Sequence, residues 1–370
     1  MTKKLFVVLS VLITATVLLA ACAPAPTAAP TAAPTQAPTA APTEAPTQPP
    51  VAAPIKVCMV SDSGGLGDKS FNDLSWAGVQ QGMTEFGVEG KVIESTGPSD
   101  FDPNLTACAD EGAKLIICVG FMMTDNCAAA ARGNPDIYYA GVDMAGFDLP
   151  NFRGVTAKMD ESTFLAGYLA AGMTQTGKVG WYVGIMGPPV QIFGDGYFYG
   201  VAEYNKAHTT TVEVLGYDAN DPGKALQTGS WIDADKGRSV GTSLMDEGAD
   251  IILPVNGGVG AATAAVMQER GKGFIFGVDQ DWTLTYPQYS AQILASVLKK
   301  IDIHVYDAVK RVATNTWEGG DFVLTLANGG TDLAYNPAVT VPAALAAEVA
   351  DIKAKIIAGT IVIPAPKPIQ

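Results

Sequence analysis

Beyond residue 55, short apolar runs alternate with longer stretches in which apolar positions recur at helical spacing. Unbroken apolar runs of strand length, set between amphipathic helices, are the pattern of a parallel sheet buried on both faces. Ile55 to Ser61 reads as a strand and Ser70 to Phe86 as a helix, with Phe71, Leu74 and Gly78 on one face and Ser70 and Asp73 in capping-box spacing. Leu115 to Val119 and Ile137 to Val142 predict two further strands, with a short helix over Asp125 to Arg132 between them. The alternation then restarts. Lys178 to Ile185, Thr211 to Tyr217, Ile251 to Pro254 and Gly273 to Val278 read as strands, and Ala234 to Glu247 as a helix. Two α/β lobes follow from this restart, without a close sequence repeat between them. Ser290 to Thr314 and Pro342 to Ala358 read as long helices. Each lies too far along the chain to belong simply to the preceding unit, so the later segments are expected to cross back between lobes.

The first 54 residues have a different pattern. Lys3 and Lys4 precede an apolar run from Leu5 to Ala21, the charged and apolar parts of a secretory signal and short for a membrane span. The run ends in Leu19-Ala20-Ala21-Cys22, which resembles the bacterial lipobox; Cys22 would become the first mature residue and carry the lipid. From Ala23 to Pro54 the chain is almost wholly Ala, Pro, Thr and Gln, with Glu44 its one charge, and has nothing to pack into a core. It reads as a tether, extended at about 3.1 Å per residue where polyproline geometry holds.

Charge narrows the partners. The formal net charge is −14, and loss of Lys3 and Lys4 with the leader makes it −16. A chain this acidic, without a basic cluster, is unsuited to nucleic acid or to an anionic membrane surface. Cys58, Cys108, Cys118 and Cys127 are even in number outside the cytosol and permit disulfides, but their spacing does not settle the pairing. With no C-x-x-C and with His208 and His304 isolated, a zinc site is not expected, and no motif calls for a cofactor.

The segment from Ser61 to Asn72 (SDSGGLGDKSFN) is the richest in candidate chemistry. Glycines between a strand and a helix start let backbone amides approach a ligand at the carboxyl edge of a sheet. A P-loop would need Gly directly before Lys-Ser; Asp68 stands there instead and would repel phosphate. Asp62, Phe71 and Asn72 offer an acceptor, a flat apolar face and an amide that donates and accepts, a set suited to a neutral ring with polar edges. A core Phe with two capping side chains is the alternative. Gly257-Gly258-Val259-Gly260 matches part of a dinucleotide fingerprint without the acidic residue at the usual distance. Asp279 and Asp143 each end a predicted strand, where open sheets place ligand contacts; sugar hydroxyls, calcium or helix capping would each use a carboxylate there. Catalytic motifs are missing, although Asp62, Asp143 and Asp279 could meet across a cleft as glycosidase carboxylates do.

These residues also carry a resemblance. Asp62 to Asn72 is similar to the D-x-G-G-x-x-D-K-S-F-N signature of the basic membrane protein family of lipoproteins, which includes purine-nucleoside receptors. Glu161 to Ala171, Thr228-Gly229-Ser230-Trp231, Gly248 to Ile252, Gly277-Val278-Asp279 and Ser296 to Lys299 follow in the family's order, so that the resemblance covers essentially Ile55 to Pro364. It implies a type I periplasmic-binding-protein fold of class α/β: two Rossmann-like lobes with parallel sheets, joined by three crossover strands. The first lobe would take residues 55–157 and about 281–320, the second 158–280 and about 321–365. It implies a monomeric, extracytoplasmic, membrane-anchored receptor, not an enzyme, that hands a purine nucleoside (guanosine, inosine or adenosine) to an ABC permease and ATPase. Carried over by motif, Asp62 and Asn72 would bond the base edge, Phe71 would stack on it, Asp279 and Lys299 would hold the ribose, and Gly258 would supply a backbone contact. Asp143 and Phe193 join the site, and Trp231 stands where the family more often has Phe, as a second stacking face. Riboflavin as the ligand, or signalling through a membrane kinase instead of transport, are the alternatives that the same resemblance leaves open.

Overall fold

The computed structural model describes residues 53–369. The leader, Cys22 and nearly all of the Pro-rich stretch lie outside the described residues. Two six-stranded sheets organise the rest. The chain begins with β1 (Lys56–Val60), α1 (Phe71–Phe86), β2 (Glu89–Ile93), α2 (Phe101–Asp110), β3 (Leu115–Val119), α3 (Thr124–Gly133), β4 (Tyr138–Val142) and β5 (Phe152–Ala157). It continues with α4 (Met159–Met173), β6 (Lys178–Val183), α5 (Pro188–His208), β7 (Glu213–Leu215), α6 (Ala234–Asp246), β8 (Ile251–Val255), α7 (Ala261–Arg270), β9 (Phe274–Asp279), α8 (Trp282–Thr285) and β10 (Ile293–Lys299). The last elements are α9 (Ile301–Ala313), β11 (Gly320–Leu324), β12 (Thr331–Tyr335) and α10 (Ala343–Ile357).

The first sheet has the order β11-β5-β4-β3-β1-β2 and the second β12-β10-β9-β8-β6-β7. All pairings are parallel except β10 with β12, which run antiparallel. The chain therefore passes between sheets three times: after β5, after β10 and after β11. This is the α/β architecture of a type I periplasmic binding protein, with three crossovers. The central strands are buried along their length, as in Leu115–Val119 and Ile251–Val255, because helices cover both faces. α4 is buried on nearly every side, against α5, α10 and the edge of the second sheet.

Two expectations need correction. Residues 290–314 are not one helix: Ile293–Lys299 is a strand paired with β9, and only Ile301–Ala313 is helical. The run Ile-Leu-Ala-Ser-Val-Leu has good helix formers and no period-2 alternation, and a strand buried on both faces needs none. This moves the lobe boundaries. Residues 281–299 stay with the second sheet, while Gly320–Leu324, placed partly in the second lobe by the sequence, pairs with β5 in the first.

Disulfides join Cys58 to Cys108 and Cys118 to Cys127, so Cys108 and Cys127, on successive helices, pair with strands and not with each other. Each bridge ties a strand of the first sheet to a neighbouring helix. Their sequence separations of 50 and 9 residues predict unequal contributions. Replacing Cys58 and Cys108 by Ala lowers the unfolding free energy by about 4 kcal/mol, against about 2.5 kcal/mol for Cys118 and Cys127, from the loop entropy restored to the unfolded chain. Urea unfolding of the two double variants checks this order; the larger loss from the shorter loop would contradict it.

Candidate ligand pocket

The carboxyl ends of the two sheets face one another, and the segments leaving them line a cavity of about 590 Å³ including its mouth. Asp62 follows β1, Gly120 and Phe121 follow β3, and Asp143 follows β4. From the second sheet come Val255, Gly257 and Gly258 after β8, Asp279 at the end of β9 and Lys299 at the end of β10, with Phe193 on α5 and Trp231 in the loop before α6. All nine residues singled out for ligand binding (Asp62, Phe71, Asn72, Asp143, Phe193, Trp231, Gly258, Asp279 and Lys299) border this one space.

The loop before α1 is organised by a residue that sequence reading set aside. Ser70 does not cap the helix with its side chain. The Asp68 carboxylate does so, accepting from the backbone N–H groups of Ser70 (2.9 Å), Asn72 (2.8 Å) and Asp73 (3.1 Å). Asp73 turns back to accept from Gly67 N (2.7 Å) and Lys69 N (2.9 Å). Freed from capping, the Ser70 hydroxyl crosses to the other lobe and donates to Asp279 Oδ2 at 2.6 Å. The capping-box expectation therefore fails because a carboxylate two residues earlier is the better acceptor for several N–H groups at once.

Asn72 is likewise committed. Its amide donates to Asp62 Oδ1 (2.7 Å) and Asp68 Oδ2 (3.1 Å), and its oxygen accepts from Asp62 N (3.3 Å). Asp62 Oδ1 also accepts from Gly64 N at 2.8 Å. Its other oxygen, Oδ2, takes no hydrogen bond from the described residues, and it lies so close to Gly120 that a Cβ there would stand 3.2 Å away. Gly120, at φ +99°, is a residue for which glycine is required twice over, by conformation and by space.

Asp143 and Asp279 occupy corresponding places in the two lobes, and both have left-handed backbone, at φ +60° and +66°. Asp is among the few residues other than Gly that tolerate this region, and it is at functional sites that such conformations cluster. Lys299 Nζ meets Asp143 Oδ2 at 2.7 Å, with both side chains almost fully buried, and stands 5.0 Å from the Phe71 ring centre and 5.6 Å from that of Phe193. The Trp231 indole packs on Gly184, where any side chain would collide with it, and its Nε1–H is buried without a partner among the described residues.

Four carboxyl groups thus face one ammonium. Burial pushes the Asp62 carboxyl up to about 6, against the bonds from Asn72 and Gly64 that favour its charged form. Burial also raises Asp279 to about 6, only partly offset by Lys299 and Ser70, and raises Asp68. Such a lining suits a neutral ligand rich in hydrogen-bond donors and disfavours an anion. Among the described residues there is no group of three His, Cys, Asp or Glu side chains able to hold a metal ion, and no helix is long and apolar enough to cross a membrane. Asp68 and Phe121 are among the pocket residues that the sequence did not mark as such. Asp68 was legible only as a phosphate repellent, and nothing in Gly-Phe-Met-Met marks Phe121.

Comparison with known proteins gives a consistent result. Residues 55–367 match the family model described as ABC transporter substrate-binding protein PnrA-like. The chain is 31% identical over 316 residues to Basic membrane protein A1 of Borrelia garinii subsp. bavariensis, covering 84% of this chain and 88% of that one. It is 28% identical over 328 residues to the ABC transporter nucleoside-binding protein BmpA of Lactococcus lactis subsp. cremoris, covering 84% and 89%. An uncharacterized lipoprotein of Pyrococcus furiosus is 29% identical over 286 residues, or 75% of this chain and 69% of that one. Among solved structures, a solute-binding protein of an ABC transporter system from Aeropyrum pernix K1 superposes with a TM-score of 0.74 at 27% identity, over 84% of this chain and 94% of that one.

The two raised carboxyl groups predict a pH dependence. A folded pKa above the unfolded one means that the native state binds the extra proton, so this contribution is complete below about pH 4 and is lost as pH rises through about 6. Asp62→Asn and Asp279→Asn, which cannot ionise, should therefore gain stability relative to the ligand-free wild type between pH 4 and 7. Urea midpoints at both pH values measure the gain; a difference independent of pH would show that neither carboxyl group is perturbed.

Proposed function

From the premise that this chain belongs to the PnrA-like family of ABC transporter substrate-binding proteins, which are receptors and not enzymes, we propose that it captures purine nucleosides in the cleft between its lobes. The observation that carries this reading is the set of groups that line one pocket: an Asp62 carboxylate oxygen without a partner among the described residues, aromatic faces, and the Asp279 carboxylate with the Lys299 ammonium. A purine nucleoside has the matching set of needs, with donors on the base edge, a flat heterocycle and ribose hydroxyls.

In this reading Asp62 accepts from the base, and Asn72 contributes chiefly by holding Asp62 in place. Phe71 stacks on the base, with Trp231 and Phe193 as the opposing apolar walls, each stack contributing about 1–3 kcal/mol. Asp279 and Lys299 hold the ribose hydroxyls, Asp143 orients Lys299, and Gly258 offers its backbone. The surplus of carboxylates discriminates against nucleotides, whose phosphates would enter an acidic, poorly hydrated space. The name of the Lactococcus lactis relative agrees with a nucleoside ligand, and the Pyrococcus furiosus relative is named a lipoprotein. We extend both to this chain: a lipid on Cys22 and a Pro-rich tether hold the receptor outside the membrane, where it delivers ligand as a monomer to a permease and its ATPase.

Thermal unfolding of residues 55–370 against guanosine, inosine, adenosine, free bases, ribose, riboflavin and inosine monophosphate tests the ligand, since a compound that binds only the folded state raises the midpoint. Nucleosides should raise it, whereas ribose and the monophosphate should not; a shift with riboflavin alone replaces the ligand. Asp279→Asn should weaken nucleoside binding about tenfold or more, through loss of a charge-assisted hydrogen bond. Unchanged affinity in a calorimetric titration would remove Asp279 from the ribose site.

A further inference from the structure

Phe121 stands out among the pocket residues because it belongs to no motif and yet touches both lobes. It leaves β3 of the first lobe, borders the cavity, and lays its ring against Gly187 at the start of α5 in the second. A Cβ placed on Gly187 would lie 2.7 Å from Cζ of that ring and closer still to its edge. Gly187 has φ −169° and ψ 168°, extended geometry open to any residue. Glycine is needed there for space and not for conformation, and what fills the space is Phe121.

The turn carrying Phe121 is built to hold it still. Gly120 N donates to Val142 O at 3.0 Å, Met123 N to Gly120 O at 3.1 Å, and the Thr124 hydroxyl to Phe121 O at 2.6 Å. The Cys118–Cys127 disulfide closes the same turn, both cysteines being fully buried. On the other side, Gly187 O accepts from Val190 N (3.1 Å) and Gln191 N (2.9 Å), opening the helix that carries Val190 and Phe193 into the pocket.

We infer that Phe121 is the closing wall of the pocket: packed on Gly187, it seals the cleft between the lobes, positions the first turn of α5, and sets how long the ligand stays. The ligand half of this inference rests on the nucleoside reading; the contact between Phe121 and α5 does not. Ring and glycine form one unit, since the ring fits only where a side chain is missing. Removing the ring leaves a gap, and adding a methyl to Gly187 pushes the ring, and with it the lobe, away.

The test is a cycle of Phe121→Ala, Gly187→Ala and the double variant. Stopped-flow binding of inosine should give dissociation about tenfold faster in each single alanine variant, with association changed much less, as is usual within one interface. The double variant should dissociate no faster than Phe121→Ala, because the new methyl then meets no ring; additive effects would overturn the inference. Hydrogen exchange on the ligand-free protein decides independently of ligand identity. Phe121→Ala should speed exchange at the Val190 and Gln191 amides while the amides of β3 keep wild-type rates, and unchanged exchange at α5 overturns the proposal. If wild type fails to bind inosine, the nucleoside reading fails, and the exchange result alone judges Phe121.

Discussion

Lys299 and Asp143 form an ion pair that spans the two lobes and is almost wholly removed from water. Taking two charges out of water costs several kcal/mol each, and their attraction repays this only with close geometry and further partners. Here the geometry is close, and the ammonium has two aromatic rings beside it, those of Phe71 and Phe193. The pair exists only when the lobes are together, because Lys299 ends β10 in one sheet and Asp143 follows β4 in the other. Ser70 bonding to Asp279 is a second bridge of the same kind. The cleft is therefore closed by polar bridges set among apolar walls, and those polar groups are organised for hydrogen bonding to something placed between the walls.

Electrostatics then restrict the occupant. With Asp62 and Asp279 both raised to about 6 by burial, the pocket already strains to keep its own negative charge, and a ligand anion would add to it. A neutral molecule with several donors relieves this instead, by supplying hydrogen bonds to carboxylate oxygens that lack them. The fold contributes by placing Asp143 and Asp279 in left-handed backbone at the ends of equivalent strands, which turns both carboxylates into the cleft.

Much of this was legible from the sequence, and the failures have physical causes. Strands such as Leu115–Val119 and the helix Phe71–Phe86 were readable because burial on one or both faces writes itself into residue spacing. Ile293–Lys299 was misread as helix because its helix-forming residues run into the helix Ile301–Ala313 with no Gly or Pro to mark the break. The motif around Asp62 pointed to the pocket but not to the division of labour inside it. Only in the folded chain is it visible that Asp68, not Ser70, caps α1 and that the Asn72 amide is spent on Asp62 and Asp68. Phe121 could not be found at all, since its partner Gly187 lies far along the chain and neither residue sits in a recurring pattern.

The most direct measurement is a crystal structure of residues 55–370 with inosine at saturating concentration. Density is expected for the base against Phe71 with its ring edge at Asp62 Oδ2, and for ribose hydroxyls at Asp279 and Lys299. An empty cleft, or a nucleoside bound outside it or with its ribose at Asp62, would contradict it.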